Sequence, residues 1–236
     1  MIYIFITSLL FFSLHLYLYN SNYKRYICND NSKSLKNSKI IFYLISGTKN
    51  FILFIVFFYN YLNTDHVNVN RVTYESTIIT TCLNIYSGSS LYDIYVYTFH
   101  REFKTDIFIH HFFSILSSVL IMYYNSHIYY VGSLLLLNIN TGFLDILFYL
   151  EYFPERNKPH MYIFGICYII TYILFRLIHI PYIMYIHYLD FNQFKENNNV
   201  SLYYIAFYIL LIFYSLQLFW SYKIYKKTIR TLTNSP

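Results

Sequence analysis

Seven apolar stretches, each able or nearly able to cross a bilayer, alternate along the chain with short polar connectors. They run from about Ile2 to Tyr19, Ile40 to Leu62, Thr77 to Phe99, Ile107 to Tyr124, Ile128 to Leu150, Met161 to Tyr188 and Leu202 to Tyr222. A hydrocarbon core of about 30 Å takes about 20 apolar residues in a helix. Inside it every backbone amide and carbonyl must be bonded within the segment itself. The pattern therefore predicts an all-α, multipass transmembrane bundle of about seven helices. Only Asn125, Ser126 and His127 separate the fourth and fifth stretches, which predicts a tight hairpin. The first stretch lacks the basic start and small-residue exit of a cleaved signal peptide, and is read as a retained helix.

Charge agrees with this reading. Of the 236 residues, 12% are charged, against about 25% in an ordinary soluble domain. That scarcity argues against a soluble enzyme, a nucleic-acid-binding protein or a disordered chain. The net charge of +6 reflects topology, not an acidic partner. Lys24, Arg25, Lys33, Lys36, Lys39, Arg101, Lys104, Arg156, Lys158, Lys223, Lys226, Lys227 and Arg230 all fall on alternate connectors and the C-terminal tail. Arg71 and Lys195 are alone on the opposite side, while Lys49 and Arg176 lie within apolar stretches. The positive-inside rule then predicts a lumenal N-terminus and a cytosolic C-terminus.

The expected organisation is a helix and basic loop over residues 1–39, a six-helix domain over 40–227 and a tail over 228–236. No internal repeat is visible. With 31 Tyr and a single Ala, Ala206, composition explains most individual aromatic residues. Cys28, Cys82 and Cys167 are too far apart for a disulfide framework or a Cys-based metal site and read as apolar residues.

Against so little charge, the ionisable groups inside apolar stretches stand out. Such groups are costly in lipid and mark function or buried pairing. At 1.5 Å of rise per residue, Asp93 and Asp145 each lie roughly 9 Å inside the predicted cytosolic face, and His110 and His111 about 5 Å. Three helices thus bring four titratable groups to one layer. Asn138, Thr141 and Asp145 follow helical spacing on one face. So do Tyr172, Arg176 and His179, with a kink expected at Pro181. Arg176, near mid-membrane, is expected to pair with Asp145 or Asp93. An adjacent His pair near carboxylates has the makings of a general base. No metal is expected, because the layer holds no Cys cluster and no H-x-x-x-H spacing.

Several short motifs, in order, resemble those of the TLC-domain family, which includes ceramide synthases and small lipid-homeostasis proteins. They are Gly88 to Asp93 (Gly-Ser-Ser-Leu-Tyr-Asp), the pair His110-His111, Val131-Gly132, Phe175-Arg176 with Pro181, and Leu216 to Lys223 containing Gln217 and Trp220. Where ceramide synthases carry His-Asp-x-Ser-Asp, this chain reads Asn138 to Asp145 (Asn-Ile-Asn-Thr-Gly-Phe-Leu-Asp). That stretch is closer to the small, non-synthase members.

The resemblance implies a membrane protein of lipid homeostasis that holds a lipid or acyl chain in an intramembrane cavity. Its polar lining would include Asn138, Thr141, Arg176, His179 and Gln217. It also implies residence in the endoplasmic reticulum, membrane lipids as partners and no bound cofactor. The alternative it carries is an N-acyltransferase using acyl-CoA as co-substrate and a sphingoid base or other lipid amine as acceptor. In that case His110 or His111 would be the base, supported by Asp93 and Asp145. A transporter gated by Arg176 would need inverted repeats or broken paired helices, and the sequence offers neither.

Overall fold

The computed structural model describes residues 2–20, 34–66, 68–99, 105–152 and 154–233. Among these residues it is all helical. The helices are α1 (Ile2–Asn20), α2 (Ser34–Leu62), α3 (Thr77–Phe99), α4 (Thr105–Tyr124), α5 (Ile128–Leu134), α6 (Asn138–Glu151), α7 (Pro154–Thr171), α8 (Ile180–Leu189), α9 (Phe191–Glu196) and α10 (Val200–Thr233). A single 3-10 turn, Leu135–Leu137, joins α5 to α6, and a π-helical segment, Tyr172–His179, joins α7 to α8. The protein is therefore a multipass helical bundle, as the apolar pattern predicts. Cys28 and most of the basic connector residues that set the expected orientation lie outside the described residues or their described side chains.

Among the described residues six spans are long and apolar enough to cross a membrane: Ile2–Asn20, Ser38–Leu62, Thr105–Tyr124, Ile128–Glu151, Pro159–Leu189 and Val200–Lys226. The third expected span forms α3, whose 23 residues would reach about 35 Å, but its composition sets it apart. Ser87, Ser89, Ser90 and Asp93 make it less apolar, and all four are buried. They face α1, α2 and α4, against which α3 packs. Sheltered from lipid, α3 needs less apolar surface than its neighbours.

The first helix packs closely on α3. A Cβ on Gly88 would sit 1.9 Å from Thr7 Oγ1 and 2.6 Å from the Ile4 carbonyl oxygen, so only glycine allows this crossing. Small residues at such contacts are how helices associate where the hydrophobic effect gives no drive. A buried relay reinforces the contact, with the His15 ring bonded to Tyr92 Oη at 2.5 Å and to Ser38 Oγ at 2.9 Å.

The bundle's largest core joins α2, α3, α4 and α5 through Leu53, Phe57, Leu83, Ile121, Ile128 and Leu135, with Cys82 buried among them as an apolar residue. Large apolar side chains remain exposed on the outside, including Ile55, Tyr162, Ile170, Tyr208 and Leu218. In water such a surface would aggregate; in a bilayer it matches the acyl chains. The hairpin at 125–127 is as tight as expected, with Asn125 at φ 46° and His127 at φ 64°.

Pro181 acts just upstream of where a kink is expected. Lacking an amide hydrogen, it cannot continue the regular ladder, and the preceding turns widen into the π segment. Such π turns are rare and occur frequently at functional sites. This one carries Tyr172, Arg176 and His179.

Candidate functional site

The polar residues expected in one layer divide into two groups. The first lies between α2, α3 and α6. Lys49 Nζ meets Asp93 Oδ2 at 3.3 Å, both side chains almost fully buried. Asp145 accepts a bond from Asn50 Nδ2 at 3.0 Å. The approach of α2 to α6 depends on Gly47, where a Cβ would lie 3.3 Å from the Asp145 Cβ. His111 stacks at a tilt on Tyr97, 6.2 Å between ring centres, and lies within electrostatic range of Asp93 and Lys49. This group is compact, and charge is balanced between Lys49 and Asp93.

The second group lines a crevice bounded by α4, α5, α6, the π segment, α8 and α10. The crevice has about 110 Å³ of space for the centre of a water-sized molecule, within a recess of about 1100 Å³ that includes its open mouth. It runs along α4 from His110 to Tyr124, a rise of about 21 Å. That exceeds one leaflet's share of a ~30 Å hydrocarbon core. Its walls are mostly apolar. Ser114, Ser117 and Ser118 turn their hydroxyls back onto α4 carbonyls at 2.8–3.0 Å and leave small, satisfied surfaces facing the space. Across from them stands Ala206, the chain's single alanine. Ile205 and Tyr124 line the crevice and are also exposed, which marks a lateral opening between α4 and α10.

Arg176 forms the polar end. Its Nη1 donates to Gln217 Oε1 and its Nη2 to Thr141 Oγ1, both at 2.7 Å. The guanidinium carbon lies 5.8 Å from the ring centres of Tyr172 and of Trp220. Nε is buried without a hydrogen-bond partner. The expected pairing with Asp145 or Asp93 is not formed, because Asn50 and Lys49 occupy those carboxylates. Arg176 is thus a buried cation held by neutral groups. His110 adjoins it, its ring against Phe213 and Trp220 at 5.3 and 5.4 Å, with Nδ1 buried and unbonded. Asn138 also lines the crevice, donating from Nδ2 to the Leu135 carbonyl at 2.7 Å.

Of the residues singled out from sequence, His110, Asn138, Thr141, Arg176 and Gln217 line this crevice. Asp93, His111 and Asp145 belong to the first group. His179 separates from Arg176 because the wider π turn breaks the spacing that would align them, and its Nε2 meets the Ser133 carbonyl at 3.2 Å. No hydrogen bond joins either histidine of the pair to Asp93 or Asp145 among the described residues. Likewise, no group of three or more potential metal ligands occurs among them.

Sequence reasoning missed three further features. Asp106 at the start of α4 accepts from Trp220 Nε1 at 2.9 Å and from Lys223 Nζ at 2.8 Å, tying α10 to α4 beside the Arg176 end. Gln217, Trp220 and Lys223 recur at three-residue spacing, and that rhythm was the available signal.

At the other end of the crevice stand Ser126, His127, Tyr130 and His187. Tyr130 Oη donates to Asp190 at 2.6 Å. Arg71 grips the same carboxylate through Nε at 2.6 Å and Nη2 at 2.5 Å. That bonding raises Arg71 above its ordinary range. Burial, and secondarily His187, push the His127 imidazole down to about 3.

A family model for the TLC domain matches residues 36–226. No curated protein and no solved structure matches the chain significantly.

Proposed function

The chain belongs to the TLC-domain family, a membership that supports a membrane, lipid-related function, and on that premise we propose that it holds an acyl-chain lipid with an acidic end in the crevice, in the service of lipid homeostasis. Arg176 carries this reading. An isolated buried charge is expensive unless it is compensated, and among the described residues Arg176 has no carboxylate partner, while its Nε is buried and unbonded at the polar end of the crevice. A lipid carboxylate or phosphate entering between α4 and α10 supplies the missing anion. Its chain then lies along the serine face of α4.

The test is native mass spectrometry of the protein extracted directly from membranes. Acidic lipid retained by the wild type and lost in Arg176→Met supports the reading; a lipid-free wild type refutes it. On the loop charges, this reading takes the N-terminus as lumenal and the C-terminus as cytosolic, with the endoplasmic reticulum as the site of residence. That orientation puts Arg176 and His110 toward the cytosolic side of the crevice.

A second reading is favoured by His110 alone. His110 lines the same crevice as Arg176 and its Nδ1 has no hydrogen-bond partner; a thioester from acyl-CoA would come to rest beside it. In an N-acyl transfer the amine nitrogen attacks the thioester carbon, the carbon–sulfur bond breaks, and CoA leaves as the thiol. His110 would take the proton from the amine and return it to the sulfur. Acylation of a long-chain base in vitro, abolished by His110→Ala, is the deciding assay. Unchanged turnover in His110→Ala and His111→Ala rules this chemistry out.

A further inference from the structure

The end of the crevice remote from Arg176 contains buried hydrogen-bonding groups that the rest of the fold does not satisfy. His187 is fully buried, and neither of its ring nitrogens has a partner. His127 is 3% exposed; its Nδ1 is bonded to Ser126 Oγ at 2.7 Å, while Nε2 has none. The two rings face each other at 5.4 Å between centres, and both line the crevice. Native interiors rarely leave one such atom unsatisfied, and here three belong to one small space. His127 also holds its backbone at φ 64°, a left-handed conformation unfavourable for a residue with a side chain.

The chemistry of these groups selects the ligand. A neutral imidazole has one N–H donor and one bare acceptor nitrogen, so His187 alone offers both. His127 adds whichever role its bond to Ser126 leaves at Nε2. The two nitrogens of one ring diverge, so a hydroxyl lodged between the rings would take one nitrogen of His187 and Nε2 of His127, donating to one and accepting from the other. A carboxylate or phosphate accepts only, and among the described residues no Lys or Arg lines this end of the crevice. Arg71 is bound through Nε and Nη2 to Asp190, whose carboxylate lies within electrostatic range of His187. The walls around the pair are aromatic: Tyr203 stacks on His187 at 4.5 Å and Phe194 on His127 at 4.6 Å.

We propose that His127 and His187 form a second polar subsite that takes a neutral lipid hydroxyl. This rests on the crevice being a lipid site, as argued above. The hydroxyl has two sources: the far end of a chain whose acidic end sits at Arg176, or the head of a separate lipid alcohol.

Binding of three probe types to the purified protein in nanodiscs distinguishes them: saturated fatty acids from dodecanoate to docosanoate, their ω-hydroxy counterparts, and hexadecanol. For a single bound chain, one ω-hydroxy acid binds about tenfold tighter than its parent acid, the equivalent of one net hydrogen bond. For a separate alcohol, hexadecanol binds, and the ω-hydroxy acids gain nothing over their parents.

In either case His187→Phe, which keeps the aromatic stack on Tyr203, removes the hydroxyl's advantage over the matching parent acid measured on the same variant. His127→Asn does the same with a residue that tolerates the left-handed backbone. The subsite is overturned if no hydroxyl probe gains at any chain length and hexadecanol does not bind, or if the gain survives both variants. It stands, and the Arg176 reading falls, if hexadecanol binds in a His187-dependent way while no parent acid binds at all.

Discussion

The Arg176 guanidinium donates from Nη1 to Oε1 of Gln217 at 2.7 Å, and Gln217 is completely buried. A neutral amide thus stands where a carboxylate would balance the charge. The substitution Gln217→Glu keeps the shape and supplies that carboxylate. Thermal unfolding in detergent should show the variant stabilised by about 2 kcal/mol. Retention of acidic lipids by native mass spectrometry should fall at least tenfold. A residue with a purely structural role would move stability and leave lipid retention alone; the opposite signs of the two effects are the signature of a cation kept free for a ligand.

The remote end of the crevice should be sensitive to acid. The His127 imidazole is lowered from 6.5 to about 3, by burial first and by His187 second. Between those values the unfolded chain binds a proton that the folded chain refuses, so stability rises with pH across that window. The His127 share of the unfolding free energy should therefore be flat above about pH 6.5. Below it, His127 contributes a loss of up to about 1.4 kcal/mol per pH unit. Comparing His127→Asn with wild type across pH 4 to 8 isolates this share, and equal slopes in the two proteins would refute it.

Close passage of α1 over α3 depends on one hydrogen atom at Gly88. Because a Cβ there would collide with Thr7 and the Ile4 carbonyl, Gly88→Leu cannot be absorbed by side-chain rotation alone. It should displace α1 or cost about 3 kcal/mol. A short thiol cross-linker between Thr7→Cys and Asn84→Cys, positions whose side chain and carbonyl are bonded at 3.3 Å, should react efficiently in the parent and poorly with Gly88→Leu present.

How much of this was legible depends on the physics that fixed each part. Lipid demands closed helices and tolerates few charges, so segments, hairpin and rare ionisable groups could all be read along the chain. Pairing between helices could not. Lys49 looked out of place within its own stretch and proves to be the partner of Asp93, 44 residues away. Arg176 and His179 looked aligned under regular helical spacing, and the π turn forced by Pro181 sends them to different neighbours. His127 read only as a hairpin residue and His187 drew no reading, because each lies near a helix end, where a polar residue is ordinary. Only the packing of α5, α8 and α9 shows that those boundaries converge.

Lys49 and Asp93 offer the sharpest test of that convergence. They are 7% and 5% exposed and meet at 3.3 Å, so neither charge has water to fall back on. Removing one partner of such a pair typically costs about 3–5 kcal/mol, while replacing both with neutral groups is nearly neutral. Lys49→Met should therefore be strongly destabilised in an unfolding titration, and Asp93→Asn similarly. The double variant Lys49→Met with Asp93→Asn should recover most of the loss. A coupling energy of at least about 2 kcal/mol from the full double-mutant cycle is expected for groups in direct contact. Lipid retention in the double variant should match wild type, because this pair does not line the crevice. If both singles are mild, or if the double variant is as unstable as the sum of the singles, the pair is not a coupled ion pair. If the double variant is stable but retains no lipid, the first polar group takes part in ligand binding alongside Arg176.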